Sequence, residues 1–333
     1  MDNICHTLVG AALAETGLKR RTALGAATLM LAANFPDIDV IAVPLGHSLG
    51  FRRGITHGVP ALVVLPAALT LIMLGWHRWR GRGTAPDARW LFGLSAIGML
   101  THPFLDWMNT YGMRWLMPLD GTWSYADTLF IADPWIWLTL GGGIWWSRRR
   151  QRAGSRGHGT PATAALALVA GYIIFMGALT LSSRATVRAI LAGRSVSPDT
   201  VVVEPVPANP FRRRVIYHWD GAYHVANYAV VSRDLSAPWI AIPLQMSHPA
   251  VAVANETPRG RAYHSWARLP YYVIEQSVGT TWVTIADARY TLNGQSPWAV
   301  ARIAVSSTAS VGNRGPSTDS LSFGSEEGNR PRY

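Results

Sequence analysis

Along the first half of the chain, imidazole and carboxylate groups stand where apolar stretches begin or end. His6 opens one stretch, Asp37 and Asp39 close the next in Asn34-Phe35-Pro36-Asp37-Ile38-Asp39, and Arg53 and His57 precede a third. His102 and Asp106 end a fourth, and Asp127 and Asp133 flank the start of a fifth. An ionisable side chain in a membrane helix costs about 2.5–3.5 kcal/mol, so groups in such places point to function. In His102-Pro103-Phe104-Leu105-Asp106 the spacing puts an imidazole and a carboxylate on one helix face, about 6 Å apart at Cβ, which suits two ligands of one ion or of adjacent ions. Asn109 lies on a neighbouring part of that face, where it can orient a ligand.

Taken alone, His102 and Asp106 read equally as a buried hydrogen-bonded pair. Joined by His6, His57 and Asp37 they read as ligands of a divalent metal, zinc foremost, because such cations take mixed imidazole and carboxylate shells. Cys5 is the one cysteine, which excludes a disulfide and a thiolate cage. Asp127 and Asp133 are expected to hold a second metal or to orient a ligand. Asp39 is the expected general base, and Arg53 the expected clamp for an anionic group such as phosphate. His47, His77, His158, His218, His224, His248 and His264 have no such companions.

The elements that must position these groups are apolar. Hydrophobic residues make up 49% of the 333, with 15 Trp, and charged residues only 15% against about 25% in soluble proteins, which excludes disorder along the whole chain. Six apolar stretches fall at roughly 6–18, 22–35, 58–76, 89–105, 129–147 and 162–182. The first two are short, and small residues at Gly10, Ala11, Ala14, Gly17, Gly25 and Ala26 predict a closely packed helical hairpin that crosses incompletely or tilts little. Lys19-Arg20-Arg21, then Arg78, Arg80, Arg82 and Arg89, then Arg148, Arg149, Arg150 and Arg152 fall on one side of these stretches, which marks that side as cytoplasmic. The net charge of +11 is thereby explained without nucleic acid, and membrane lipids are the expected partners. The loops holding 36–57 and 106–128 then face outward. The first six residues lack the basic start of a secretory signal, so the N-terminus is expected to be retained.

From about residue 195 the pattern changes to short β-like runs at 201–203, 214–217, 228–231, 271–274 and 281–285. The expected fold class is therefore mainly α: a polytopic membrane helical bundle over 1–185, a small β-rich extracytoplasmic domain over 195–305, and a disordered tail over 306–333. The β-rich part lacks ligand spacing and is expected to cover the outer mouth or to bind a partner.

These residues, in this order, resemble the YdjM-like family of inner-membrane metal-dependent hydrolases. The marks are His6-Thr7-Leu8-Val9-Gly10, Pro36-Asp37-Ile38-Asp39, Arg53-Gly54-Ile55-Thr56-His57, and His102-Pro103-Phe104-Leu105-Asp106-Trp107-Met108-Asn109-Thr110-Tyr111-Gly112, followed by Trp115, Pro118, Asp127 and Asp133-Pro134. The resemblance covers about residues 1–185, and 209–224 is similar to an extension carried by longer members. One departure is Gly58, where the family usually has Ser. The resemblance implies a membrane-bound metal-dependent hydrolase. With the site at the outer face of a bacterial inner membrane, a lipid-linked or phosphoester substrate is expected. A non-catalytic envelope protein stapled by its metal, or an ion transporter, are the alternatives.

Overall fold

The structure, a computed structural model, describes residues 1–42, 51–81 and 83–306. His47, Arg82 and the tail expected over 306–333, apart from Ser306, fall outside the described residues. Six helices come first: α1 (Asn3–Glu15), α2 (Gly25–Ala32), α3 (Ala61–Arg80), α4 (Ala88–Trp107), α5 (Pro134–Arg152) and α6 (Thr160–Gly193). Their starts are written locally. Asp2, Asp87 and Asp133 each cap a helix by accepting hydrogen bonds from backbone N–H groups of its first turn, and Pro134 follows Asp133 at the position where a missing N–H costs nothing.

With eight residues, α2 is about 12 Å long and far too short to cross a bilayer. It is wedged between α1 and α4, and two glycines make the wedge possible. A Cβ on Gly10 would lie 2.6 Å from the Leu29 carbonyl oxygen, and one on Gly98 would lie 2.7 Å from the Ala32 Cβ. Around this contact one apolar core joins α1, α5 and α6 through Val9, Leu129, Ile136, Leu140 and Met176, and another joins α2, α3 and α4 through Ala32, Leu69, Leu91 and Met99.

Among the described residues, α3 and α6 are long and apolar enough to cross a membrane. Their outward faces carry Leu71 and Ile174, about 70% exposed, and Leu138 of α5 is equally bare. The basic clusters gather at one end of the bundle. Lys19 and Arg148 share Glu15, at 2.5 and 2.9 Å, and Arg21 lies over the Trp90 ring at the start of α4. Trp76, Trp79, Trp145 and Trp146 are exposed at that same end, as in the aromatic belt of a membrane interface.

After α6 the chain forms two antiparallel sheets. One takes the order β1 (Thr200–Val206), β2 (Asn209–Trp219), β3 (Ala222–Ala229), β4 (Asp234–Leu235), with β5 (Ile240–Pro243) also on β3; the other is β6 (Pro270–Ser277), β7 (Thr280–Asp287), β8 (Val300–Ser306). The strand runs expected from the sequence fall in β1, β2, β6 and β7, whereas the run at 228–231 overlaps only the end of β3. Two short helices between the sheets, α7 (Pro249–Glu256) and α8 (Pro258–His264), went unanticipated.

These sheets pack directly on the helical part. Val187 and Leu191, near the end of α6, lie in one core with Val203, Val215 and Tyr217. Tyr111, just past α4, is buried with Trp266, Tyr272 and Ile285. Arg289 donates to the Thr110 carbonyl oxygen at 2.7 Å, and Asp287 grips its guanidinium from the other side at 2.8 and 3.0 Å. Burial alone would raise the Asp287 carboxyl, but the adjoining Arg289 charge overrides it and holds Asp287 below the usual carboxylate range.

Candidate metal centre

The polar residues of the first half meet at the end of the bundle opposite the basic clusters. The glycine contacts explain why. His6 lies one turn before Gly10 in α1 and His102 one turn after Gly98 in α4, so the close approach of both helices to α2 brings the two imidazoles together, stacked with centroids 3.8 Å apart. The carbonyl of Ala33, the cap residue that ends α2, accepts a hydrogen bond from His102 Nδ1 at 2.7 Å. The chain then turns through the 3-10 segment Phe35–Ala42, which brings Asp37 and Asp39 to the same place, and His57 arrives just ahead of α3.

One oxygen each from Asp37 and Asp106 and one nitrogen each from His57 and His102 all lie within 4.8 Å of one another, and all four residues are buried. His57 Nε2 is 3.2 Å from His102 Nε2; each is 3.8 Å from Asp37 Oδ1 and 3.6 Å from Asp106 Oδ2. Donors around a tetrahedral zinc ion, with bonds of about 2.0–2.1 Å, stand about 3.4 Å apart.

The hydrogen-bond directions test the fit independently. A carbonyl only accepts, so His102 carries its proton on Nδ1 and presents a lone pair at Nε2. The Thr56 hydroxyl donates to Asp39 Oδ2 at 3.1 Å, so it can only accept from His57 Nδ1, 2.9 Å away. As a neutral imidazole, His57 then also presents a lone pair at Nε2. Two lone pairs face each other at 3.2 Å beside two carboxylates, an arrangement that repels itself and that a divalent cation satisfies. These four residues could hold a metal ion.

The supporting residues sort themselves by contact. Asp39 stands behind His57, with Oδ2 accepting from the Arg53 backbone N–H at 2.8 Å and 3.6 Å from His57 Nδ1. Oδ1 of Asp39 is buried and accepts no hydrogen bond among the described residues. Arg53 sits at φ 52°, a costly conformation held by that contact. Its guanidinium is 2.8 Å from Asp106 Oδ2, donates to Asn109 Oδ1 and the Gly112 carbonyl at 3.0 and 3.1 Å, and covers the Tyr111 ring. Only 4% exposed, Arg53 is committed to Asp106 rather than turned outward as an anion clamp. Its neighbour Arg52 is the more open cation, 2.9 Å from Asp37 Oδ1. In the sequence Arg52 stands beside Arg53, apart from the basic clusters at the other end of the bundle.

His6 borders the four without joining them. Its Nε2 is 3.2 Å from Asp106 Oδ1, the oxygen that also meets the Met1 amino group, and its Nδ1 is buried without a partner among the described residues. Asn109, expected to orient a ligand, accepts a hydrogen bond from Arg53, which in turn meets Asp106. Asp127 and Asp133, expected as further metal residues, are engaged elsewhere. Asp127 accepts from Arg184 of α6 and, at 2.8 and 3.0 Å, from Arg268. Asp133 caps α5 and accepts from the Tyr172 hydroxyl at 3.0 Å.

A protein-family model described as YdjM inner membrane protein matches residues 1–199, more than half of the chain. A curated protein of Bacillus subtilis (strain 168), named uncharacterized protein YfhP, is 29% identical over 114 residues, which cover 31% of this chain and 31% of that relative's length. No solved structure matches.

Proposed function

The chain belongs to the YdjM family of inner membrane proteins, and on that premise we propose that it is a multi-pass, metal-dependent hydrolase of the bacterial inner membrane. The reading is carried by the convergence of Asp37, His57, His102 and Asp106 within 4.8 Å. Zinc is the ion their mixed imidazole and carboxylate chemistry favours. When bound, it would activate water and polarise the scissile group. By the positive-inside rule the end carrying Lys19, Arg21 and Arg148 is cytoplasmic, which puts the opposite end and the sheets outside and favours a lipid-linked or phosphoester substrate.

The roles of the chain's own residues follow from their contacts. Arg52, beside Asp37 and partly exposed, is the cation that meets an anionic group of the substrate. Arg53 fixes Asp106, and Asn109 fixes Arg53. Thr56 orients His57. Asp39, whose buried Oδ1 lies 3.7 Å from Arg52 Nε and makes no hydrogen bond among the described residues, takes the proton.

One observation favours a second reading. Four protein donors form a closed shell of the kind seen in structural sites, whereas catalytic zinc keeps an open position. The experiment is metal analysis of the protein in lipid discs, with hydrolysis measured on phospholipids and a phosphodiester. Stoichiometric metal that is lost in His102→Ala, with hydrolysis that Asp39→Asn lowers by 10-fold or more while keeping its metal, supports the hydrolase. Metal-replete protein that hydrolyses nothing, and that chelation merely destabilises, is a stapled envelope protein. Wild-type metal content in folded His102→Ala would sink both.

A further inference from the structure

Between the end of α4 and the two sheets lies a cavity of 470 Å³, within the size range of small-molecule sites. Asn109 reaches it from the metal centre, Phe130 from the segment before α5, Glu204 and Arg214 from β1 and β2, and Tyr290 and Trp298 from the link between β7 and β8. Three of the residues that line it each carry a buried polar atom with no hydrogen-bond partner among the described residues: Asn109 Nδ2, Glu204 Oε2 and the Tyr290 hydroxyl. Buried polar atoms are seldom left unpaired in folded proteins, and three on residues that line one cavity single it out from the rest of the molecule.

The charges around it are already matched. Arg214 is paired with Glu204 through Oε1, and Arg289, which also lines the cavity, is forked onto Asp287. Burial pushes the Glu204 carboxyl up against the pull of Arg214, so this wall favours a group it can share a proton with over a further charge. What remains is one amide donor, one hydroxyl that donates or accepts, and one carboxyl oxygen, beside two aromatic rings with centroids 5.0 Å apart and inclined at 59°. Hydroxyl groups both donate and accept, and the C–H faces of a polyol ring or chain pack on aromatic rings. We propose that this cavity binds a neutral, hydroxylated group, such as a glycosyl or glycerol unit, either free or as the headgroup of a lipid. The site stands apart from the hydrolase reading and does not need it.

The probes are methyl β-D-glucoside, hexyl β-D-glucoside and glucose 6-phosphate, titrated against the full chain in phosphatidylcholine discs by calorimetry. Tyr290→Phe removes one unpartnered hydroxyl and leaves its ring stack on Trp266 in place. Saturable binding of the glucosides, weakened roughly 2- to 10-fold in Tyr290→Phe and further in Trp298→Ala, supports the site. Equal affinity for the two glucosides assigns a free ligand, and tighter binding of the hexyl compound a lipid headgroup. No saturable glucoside binding, glucose 6-phosphate binding as tightly, or unchanged affinity in Tyr290→Phe would overturn it. So would a Tm of Tyr290→Phe below that of wild type, because the hydroxyl would then have a structural partner.

Discussion

Gly10 of α1 and Gly98 of α4 press on the same carbonyl, that of Leu29, with hypothetical Cβ atoms 2.6 and 3.0 Å from its oxygen. Two helices thus share one contact on α2, and the imidazoles of His6 and His102 meet one turn beyond it. Gly98→Ala forces α4 off α2 and should cost about 1–3 kcal/mol as an overpacked core does. Bound metal should fall with it, because His102 loses its hold on the Ala33 carbonyl. Gly75→Ala in α3, where nothing lies within 4 Å, is the control and should leave both Tm and metal content intact. Thermal unfolding and metal analysis of the two variants decide it.

Asp127 is a structural counter-ion for Arg184 and Arg268. Asp127→Asn should destabilise by about 1.5–3 kcal/mol, as loss of a charged hydrogen-bond partner does, while metal stoichiometry stays at the wild-type value. Loss of metal from folded Asp127→Asn would return this residue to the metal centre.

Acid should weaken the Arg289 anchor in a defined direction. The Asp287 carboxyl is held below its ordinary value, so its stabilisation is complete above the unfolded pKa of about 3.9 and disappears as pH falls through the lower folded value. The Tm gap between wild type and Asp287→Asn should be constant from pH 7 to 5 and shrink below about 4. A gap that widens on acidification would reverse the sign.

Membrane orientation can be read with single cysteines once Cys5 is replaced by Ser. An impermeant thiol reagent applied outside should label Asp120→Cys, which lies on the metal-centre side. It should miss Gly83→Cys, in the loop between α3 and α4. The opposite pattern would turn the protein over.

The four residues that could hold a metal were legible because their cost is local: an imidazole or carboxylate beside an apolar run is conspicuous without knowledge of its partner. Asp127 and Asp133 look the same in one dimension. What separates them is Arg184, Arg268 and Tyr172, brought in from 39 to 141 residues away by packing that no spacing rule encodes. Arg53, expected as the anion clamp, stands instead at a left-handed turn with its side chain against Asp106, a backbone conformation that its residue type does not announce. The helices α7 and α8 were hidden because each is only seven or eight residues long, too short for a helical period to stand out beside strand-like neighbours.

The 34 residues of α6 form one unbroken rod about 51 Å long, well beyond the roughly 30 Å of a hydrocarbon core. Val187 and Leu191 bolt the first sheet to its far end, and that sheet supplies Glu204 and Arg214 to the cavity wall. The rod is therefore a lever with its fulcrum in the lipid. A thinner bilayer tilts such a helix further, and a tilt would carry the first sheet, and with it one wall of the cavity, along. Bilayer thickness is then expected to change the space beside the candidate metal centre, and glucoside affinity in lipid discs of differing acyl length tests this.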